Sequence, residues 1–360
     1  MVTPGALEAR LTRALASYDA RDDTGDISFA LASPGRGWMW SLSTPASRRP
    51  YFIASATKLY VSAVVMQLRA EARLDLDAPA AAYLGADVMR GLHVRRGVDA
   101  GGRITVRQLL AHTSGLADYF EQRRHDGSSQ MRRILEHDEA WTFDDVLRIT
   151  REALTPRGAP GRPGKAFYSD TNYQLLGAII ETVTGTTWEQ ALTDRVLAPL
   201  GLRETWPFTT ATVNLYETVA TMRHGARPVH IPLAMASVRA DGGLVSTASD
   251  GVVFLQAFMS GRLFPGAYLD EMQAEWNRIF FPLQYGVGLM RFALPRILSP
   301  LAPVPPMIGH SGASGAVLFY VPSLDLYVSG TVNQIARRSL SYTLMTRLVL
   351  ACQDVWRRRP

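Results

Sequence analysis

The 360-residue sequence contains few of the residues on which several common kinds of protein depend. It has one cysteine, so no disulfide within the chain is possible, and we interpret Cys352 as an inert, partly buried thiol. It has no apolar run long enough to cross a membrane, and its first residues lack the hydrophobic stretch of a signal peptide. These absences predict a soluble, cytoplasmic protein that has no membrane partner.

Lysine is scarce as well, because Lys58 and Lys165 are the two lysines of the chain. The other basic residues are arginines that are scattered between acidic residues, with no basic stripe interleaved with aromatic side chains. The net charge of +6 therefore does not predict binding to nucleic acid. An ammonium group can lose its proton in a pocket, whereas a guanidinium group effectively cannot. A lysine in this chain is thus a candidate for proton chemistry.

Motifs for metals, phosphates and one large hydrolase class are also missing. The histidines do not have metal-ligand spacing such as H-E-x-x-H, so we expect no metal and no other cofactor. The segment GAPGRPGKAF has alanine where a phosphate-binding loop needs glycine and Ser/Thr. No G-x-S-x-G elbow is present, which argues against an α/β-hydrolase.

The sequence does contain strand patterns near both ends and helical patterns between them. We expect strands over 27–33, 37–43, 284–294, 315–322 and 325–333. Helical periodicity occurs over 4–20, 55–74, 105–116, 143–154, 171–185, 188–202, 246–261 and 339–356. The fold class is therefore α/β in the α+β sense: an antiparallel sheet built from both chain termini, flanked by helices, with an inserted all-helical lobe. We expect one domain over residues 1–360, with a sheet lobe at about 1–75 and 241–360 and a helical lobe at about 76–240.

The segment YFIASATKLY (51–60) places Ser55 three residues before Lys58, where the first long apolar helix begins. Residues i and i+3 share a helix face, so the ammonium group could reach the hydroxyl. A serine hydroxyl becomes a good nucleophile when a neighbour takes its proton, and a helix N-terminus favours developing negative charge. The simpler interpretation is an N-cap serine that is followed by a solvated lysine.

Three further segments favour the first interpretation. GRPGKAFYSDTNYQLLGAII (161–180) places Tyr168-Ser169-Asp170 before a helix, and HSGASGAVLFYVP (310–322) places His310-Ser311-Gly312 just before or on a strand. LLAHTSGL (109–116) lies in the chain between the Ser55–Lys58 motif and Tyr168. From about residue 28 to 333 the chain resembles the serine β-lactamase-like superfamily, which includes class C β-lactamases, D-Ala-D-Ala carboxypeptidases, family VIII esterases and D-amino-acid amidases.

The resemblance implies a β-lactamase/transpeptidase-like fold and roles for individual residues. Ser55 would be the nucleophile, with Lys58 and Tyr168 as its catalytic partners, and the backbone N–H groups of Ser55 and Ala313 would form the oxyanion hole. We expect Lys58 to lower the pKa of Tyr168, so that Tyr168 takes the Ser55 proton. The expected substrate-binding residues are Asp170, His310, Ser311, Gly312 and Tyr119. Tyr119 and Phe120 could instead pack in the core, and we interpret His112 as a structural residue in a turn.

Two positions depart from the β-lactamase pattern. Asp170 stands where many relatives have asparagine, and an ionised carboxylate cannot donate a hydrogen bond to a substrate carbonyl. Asp170 could pair with Lys58, bind a substrate ammonium group, or cap the helix that we expect to begin at Thr171. His310 stands where class C β-lactamases have lysine, and imidazole is mostly neutral at neutral pH. Both departures favour an esterase, amidase or peptidase over a β-lactamase.

We therefore expect a cofactor-free serine hydrolase that forms an acyl-enzyme on Ser55 and acts on small esters, amides or D-amino-acid derivatives. One alternative is an acyltransferase or peptide cyclase, in which an alcohol or amine takes the place of water. Another is a β-lactamase or a non-catalytic penicillin-binding sensor. The expected partner is a small-molecule substrate, and the sequence does not predict the oligomeric state.

Overall fold

The computed structural model describes residues 4–44, 49–298 and 303–357. Its strands are, in chain order, β1 (Ser28–Ser33), β2 (Trp38–Ser43), β3 (Tyr51–Phe52), β4 (Val94–Arg95), β5 (Val98–Asp99), β6 (Trp206–Pro207), β7 (Arg223–His224), β8 (Arg227–Pro228), β9 (Leu244–Ser246), β10 (Asn277–Phe280), β11 (Leu283–Tyr285), β12 (Met290–Phe292), β13 (Met307–Ser311), β14 (Ala316–Val321) and β15 (Leu326–Thr331). Its α-helices are α1 (Pro4–Asp19), α2 (Thr57–Ala70), α3 (Ala81–Leu84), α4 (Ala86–Met89), α5 (Val106–Leu110), α6 (Gln130–Glu136), α7 (Phe143–Arg148), α8 (Asp170–Thr184), α9 (Trp188–Leu192), α10 (Ala198–Leu200), α11 (Pro232–Ser237), α12 (Ala248–Met259), α13 (Ala267–Gln273) and α14 (Ser339–Arg357).

The main sheet has eight antiparallel strands in the order β10-β11-β12-β13-β14-β15-β1-β2. The first strand of the chain lies between the last strand and β2, with Leu31 opposite both Val328 and Trp40. The sheet is therefore built from both ends of the chain, as the sequence pattern predicts. All six residues of β1 are buried, because the strand is central in the sheet and helices cover both of its faces.

Helices cover both faces of this sheet. On one face α1 and α14 pack together, and their apolar side chains share a core with strands β1 and β11–β15. On the other face α12 crosses β14, β15 and β1. A Cβ atom at Gly251 of α12 would lie 2.3 Å from the Ser329 Oγ of β15, so this close approach of helix and strand requires glycine.

The helical lobe packs against the sheet through α2. Residues Thr57–Met66 of α2 are all buried, and they share a core with α8, α9 and α12. A small sheet in the order β3-β9-β6 joins the segment before α2 to the segment after the helical lobe. Its strands have two or three residues each, which is too short for a periodic pattern to predict them.

The inserted lobe, which we expected to be all-helical, also contains the short strands β4–β8, which are too short for a sequence pattern to predict. Two further elements differ from the sequence expectation. The helix expected over 105–116 ends at Leu110, because His112 has φ +55° and Gly115 has φ +73°, neither of which continues a helix. The strand expected over 284–294 is two paired strands, β11 and β12, which are joined by a turn with Gly288 at φ +79°. Alternating apolar residues in both strands gave one continuous pattern.

The structure also bears on membrane-spanning helices and on the single cysteine. Among the described residues, no helix combines the length and the apolar character that a membrane span requires. Cys352 lies fully buried in α14, and its burial raises the pKa of the thiol to about 12. A thiol with that pKa is unreactive at neutral pH.

Candidate active site

Ser55 lies in a 3₁₀ turn, Ala54–Ala56, directly before α2. Ala54 has φ +44°, a left-handed conformation that costs an alanine roughly 1 kcal/mol and is typical of sites where the fold holds a residue in place. The interpretation of Ser55 as an N-cap is wrong, because the N-cap of α2 is Ala56 and no side chain caps this helix. The Ser55 side chain is half-buried and lines a large cavity.

Lys58, the second residue of α2, is completely buried, and the interpretation of this residue as a solvated lysine is wrong. Its Nζ donates to three acceptors: the Ser55 Oγ at 3.1 Å, the Asp170 Oδ1 at 2.7 Å and the backbone oxygen of Asp241 at 2.6 Å. An ammonium group has three N–H donors, so each acceptor can take one of them. Lys58 thus links the Ser55 hydroxyl directly to a carboxylate.

Asp170 is the first residue of α8, and its carboxylate forms a buried ion pair with Lys58. The interpretation of Asp170 as a helix cap is wrong, because the N-cap is Ser169 and this end has no side-chain cap. Burial raises the pKa of Asp170 above its usual value, and the Lys58 ammonium partly offsets that rise. Of the three roles that the sequence left open, the geometry favours pairing with Lys58.

Tyr168 lies two residues before Asp170, with Lys58 Nζ 5.2 Å from the centroid of its ring. Burial, followed by the charge of Asp170, raises the pKa of Tyr168 well above its usual value, although a hydrogen bond with Ser55 lowers it in part. The expected direction of this shift was therefore wrong. Lys58 faces the ring and pairs with Asp170, so its charge does not favour a phenolate at Tyr168.

Two more carboxyl groups surround the Lys58–Asp170 pair. Asp118 is buried and accepts the backbone N–H of Asp170 at 3.1 Å, and burial raises its pKa to about 8. Asp241 is buried and accepts from the Tyr119 hydroxyl at 2.8 Å and from Gln174 Nε2 at 3.0 Å, and burial raises its pKa well above the usual value. Three buried carboxyl groups thus lie near one ammonium group, so some of them must hold protons.

The sequence analysis did not select Asp118 or Asp241 for a functional role. Asp118 follows the HTSGL turn by two residues, and Asp241 begins an Asp-Gly-Gly segment where the chain returns to the sheet lobe. Each position is an acidic residue beside a turn, which is common on any surface. Their burial comes from the packing of distant segments, and no local pattern reports it.

His310 lies on β13, fully buried, behind the cavity. Its Nδ1 donates to the Ser311 backbone oxygen at 2.7 Å, and its Nε2 accepts from the Tyr285 hydroxyl at 2.9 Å. Burial and the nearby Lys58 charge lower the pKa of His310 to about 3, so the ring is neutral. The expectation that His310 contacts substrate is wrong, since both ring nitrogens already have partners in the protein.

Ser311, Gly312 and Ala313 form the cavity wall beside Ser55. A Cβ atom at Gly312 would lie 2.1 Å from the Ile53 backbone oxygen, so glycine is required for the two segments to touch. The Gly312 N–H donates to the Ala316 oxygen at 2.8 Å, which closes a tight turn after β13. This contact brings the backbone around Ala313 next to the backbone around Ser55, where the resemblance places the oxyanion hole.

Two side chains from the helical lobe support the site from behind. His112 Nδ1 accepts from the Ser169 backbone N–H at 3.1 Å and from Asn172 Nδ2 at 3.0 Å, which holds the chain that carries Tyr168. The Tyr119 side chain is fully buried and contacts Asp241, so the expectation that Tyr119 contacts substrate is wrong. Phe120 lines the cavity in its place.

The cavity has a volume of about 1140 Å³ and lies between the sheet lobe and the helical lobe. Of the site residues expected from the sequence, those that line it are Ser55, Tyr168, Asp170, Ser311, Gly312 and Ala313. Within the described parts of the chain, no group of three or more His, Cys, Asp or Glu side chains is placed to hold a metal ion. The chemistry that these residues can support is proton transfer around a serine nucleophile.

The sequence and the fold of this chain are similar to those of known proteins. The Beta-lactamase family model matches residues 30–341. A D-stereospecific amidohydrolase from Streptomyces sp. superposes with a TM-score of 0.73 at 29% identity, over 91% of this chain and 95% of that one. The D-amino acid amidase from Ochrobactrum anthropi SV3 gives a TM-score of 0.79 at 22% identity, over 97% and 99% of the two chains.

A third solved structure, EstCE1, described as a hydrolase with promiscuous acyltransferase activity, gives a TM-score of 0.77 at 20% identity, over 96% of this chain and 98% of that one. At this identity, as for the amidase, the likeness concerns the fold. Among curated relatives, the first three matches cover 52%, 34% and 32% of the relatives' own lengths. The chain thus spans about half or less of the length of those curated relatives.

Proposed function

The chain belongs to the Beta-lactamase family, and from that premise we propose that it is a serine hydrolase that forms an acyl-enzyme on Ser55 and cleaves esters or amides. One observation carries the proposal: Lys58 Nζ lies 3.1 Å from the Ser55 Oγ and 2.7 Å from the Asp170 Oδ1. A hydroxyl, an ammonium group and a carboxylate in a row form a path along which a proton can leave the nucleophile.

In acylation, the Ser55 Oγ attacks the substrate carbonyl carbon. Lys58 passes one proton to Asp170 and takes the proton of Ser55, so the net transfer runs from serine to carboxylate. The raised pKa of Asp170 suits this role, because a carboxylate with a higher proton affinity is a better acceptor. The carbonyl oxygen gains a negative charge, and the N–H groups of Ser55 and Ala313 are the proposed donors to it.

Tyr168 is the proposed proton donor to the leaving group. Its raised pKa keeps the phenol protonated at neutral pH, and its hydroxyl contacts the Ser55 side chain. When the tetrahedral intermediate collapses, the leaving group departs with the Tyr168 proton. In deacylation, a water molecule gives its proton back to the tyrosine and attacks the acyl carbonyl. Ser55 regains its proton from Asp170 through Lys58, and the cycle closes.

Esters and amides without a carboxylate beside the scissile bond are the proposed substrates. Asp170 would repel a substrate carboxylate, and His310 is neutral and turned away from the cavity, so the site offers little to a β-lactam. The D-stereospecific amidohydrolase from Streptomyces sp., at 29% identity, supports amides of D configuration as one substrate class. Acyl transfer to an alcohol is the second candidate, since an acceptor in the place of water needs no further protein group, and EstCE1 has that activity.

A non-catalytic sensor is less well supported. Such a protein needs no proton path beyond the serine, and a buried lysine–carboxylate pair costs free energy of desolvation that a binding protein has no reason to retain. Here Lys58 contacts both the Ser55 hydroxyl and the Asp170 carboxylate.

The proposal is tested by labelling the protein with a fluorophosphonate and locating the adduct by mass spectrometry. We expect the label on Ser55, and we expect Ser55→Ala to abolish both the label and the hydrolysis of p-nitrophenyl acetate, a loss of several powers of ten. Ser260→Ala, an exposed serine at the end of α12, is the matched control and should label like the wild type. Retained hydrolysis in Ser55→Ala would refute the mechanism.

A further inference from the structure

The cavity continues past Ser55 as a groove between α14 and strands β11 and β12. The α14 residues that line it include Tyr342, Thr346 and Leu350, which are spaced by four and therefore share one face of the helix. Other α14 residues, among them Leu344 and Leu348, pack on the sheet. Helix α14 thus has two faces with different tasks, one in the core and one along the cavity.

The opposite wall of this groove is apolar. It is formed by Met290, Phe292 and Leu294, which alternate along β12 and just beyond it, and by Leu283 of β11, whose partner in the sheet is Phe292. The rings of Phe292 and Tyr342 stack at 5.3 Å, so at this point the strand and the helix are in contact and the two rings form one aromatic floor of the groove. This part of the cavity therefore differs from the carboxyl-rich part around Lys58.

The groove is continuous with the proposed reaction centre. The Ser311 hydroxyl contacts the Tyr342 hydroxyl, and Met290 Sδ lies 3.8 Å from the Ser311 Oγ and 3.7 Å from the Tyr342 hydroxyl. Ser311 is followed by Gly312, which touches the segment that carries Ser55. The side chains of Ser311, Tyr342 and Met290 pack together on the cavity surface. The same cavity is lined by Ser55 and Leu350, so a chain attached to a carbonyl group at Ser55 can extend over Met290 into the groove.

The length of the groove limits what it can hold. Tyr342 and Leu350 are eight residues apart on a helix, which corresponds to about 12 Å at a rise of about 1.5 Å per residue. A carbon–carbon bond is about 1.5 Å long and a zigzag chain advances slightly less per carbon, so about 12 Å fits roughly eight to ten carbons. Phe280 of β10, which is 61% exposed, also lines the cavity and is the sheet partner of Leu283, so it extends the apolar wall.

We propose that this groove binds an unbranched alkyl chain of the substrate, about eight to ten carbons long. The proposal rests on the proposed function, because it places the chain relative to an ester or amide at Ser55. It also extends the expectation of small substrates, since an apolar chain gains free energy from each methylene that leaves water. The acyl part or the alcohol part of an ester could supply this chain.

Two series of esters test the proposal and separate these sources. The first series varies the acyl group of p-nitrophenyl esters from acetate through butyrate and octanoate to dodecanoate. The second series keeps the acetyl group and varies the alcohol from ethanol to decanol. We expect kcat/KM to rise by about two- to fourfold per methylene in one of the series, and to stop rising at roughly eight to ten carbons. A flat or falling dependence in both series would overturn the proposal.

Variants with a shortened groove connect the effect to this surface. Leu350→Trp and Leu294→Trp place a bulky ring on opposite walls, and we expect each to reduce the octanoate-to-acetate or octyl-to-ethyl ratio of kcat/KM at least tenfold. Val253→Trp, at an exposed position on α12 away from the cavity, is the matched control and should leave the ratio unchanged. Thermal unfolding shows whether each variant is folded. Unchanged ratios in both folded groove variants would contradict the proposal.

Failure of the groove and failure of the proposed function give different results. If acetate is cleaved, and Ser55→Ala abolishes this cleavage, the function stands, and the chain-length series alone decides on the groove. If no ester is cleaved, binding of the uncharged 1-decanol to the wild-type protein, measured by calorimetry, still tests the groove. We then expect Leu350→Trp to weaken 1-decanol binding at least tenfold and Val253→Trp to have no effect, and no measurable binding to the wild type would overturn the proposal.

Discussion

The two sides of Lys58 differ in the charge that they can carry. On one side are three buried carboxyl groups, those of Asp118, Asp170 and Asp241, and burial raises the pKa of each. On the other side are Tyr168 and, behind it, the hydrogen-bonded pair of Tyr285 and His310, which is neutral at neutral pH. At the start of acylation the carboxyl side can accept a proton, whereas the protonated Tyr168 can donate one.

In the proposed mechanism, this difference places the two halves of proton transfer on different residues. If a phenolate took the Ser55 proton, its pKa would have to fall, and the surroundings of Tyr168 raise it. A carboxylate at position 170 supplies an acceptor that the asparagine of many relatives cannot supply. A carboxylate at position 170 is therefore consistent with the raised pKa of Tyr168, because Asp170 can accept the proton that this tyrosine cannot.

Of the changes on the two sides of Lys58, we expect Tyr168→Phe, which removes the phenol on the aromatic side, to have the largest effect. Without the phenol, an amide or alkyl ester loses the proton donor to its leaving group, and kcat should fall by about 10²- to 10⁴-fold. A p-nitrophenyl ester should lose much less, because nitrophenolate leaves without being protonated. Steady-state kinetics on both substrates measure the difference. Equal losses for the two would show that Tyr168 acts on Ser55 itself.

Asp170→Asn removes the proposed proton acceptor on the carboxyl side of Lys58, and we expect an effect of intermediate size. We expect kcat/KM for p-nitrophenyl acetate to fall about ten- to a hundredfold, because Lys58 must lose its proton with no carboxylate to receive it. The acid limb of the pH–rate profile should move to higher pH, while a chromogenic cephalosporin becomes a relatively better substrate. An unchanged profile and an unchanged substrate ratio would argue that Asp170 only anchors the lysine.

The smallest predicted effect is a pH dependence of the free energy of unfolding, which comes from the carboxyl side of Lys58. Asp118 has a folded pKa of about 8, above its unfolded value, so the folded state holds a proton that the unfolded state releases. The resulting stabilisation is complete below the unfolded pKa and is lost as pH rises through the folded pKa. The buried histidines have the opposite sign, since their pKa values are lowered, but they stop contributing above pH ~6.5.

Between pH ~6.5 and ~8, the free energy of unfolding should therefore fall, by at most about 1.4 kcal/mol per pH unit for each proton. Denaturant titrations at several pH values measure this slope. Asp118→Asn should flatten the slope, and Asp22→Asn, at an exposed position, should leave it unchanged. A stability that rises with pH in this window would contradict the assignment of a bound proton.

The sequence predicted those parts of the molecule that follow from local patterns. The sheet from both termini and the helix after Ser55 follow from apolar periodicity, and Ser55, Lys58 and Tyr168 follow from short motifs. What it could not predict depends on which distant segments meet. The split of 284–294 into β11 and β12, the burial of Asp118 and Asp241, and the engaged nitrogens of His310 all result from packing. The direction of the Tyr168 pKa shift also depends on Asp170, because Asp170 pairs with Lys58 and its own charge raises the pKa of the phenol.

The position of β1 between β15 and β2 has a consequence for the order in which the molecule can be made. A ribosome releases Ser55 and Lys58 early, but β15, which must pair with β1, and the Ala313 segment beside Ser55 emerge more than 250 residues later. Contacts between residues so far apart in the chain form slowly, and although β1 can pair with β2, its other edge stays unpaired until then. A nascent chain that is stopped before its last strand would thus carry every catalytic side chain and still be inactive and prone to aggregation.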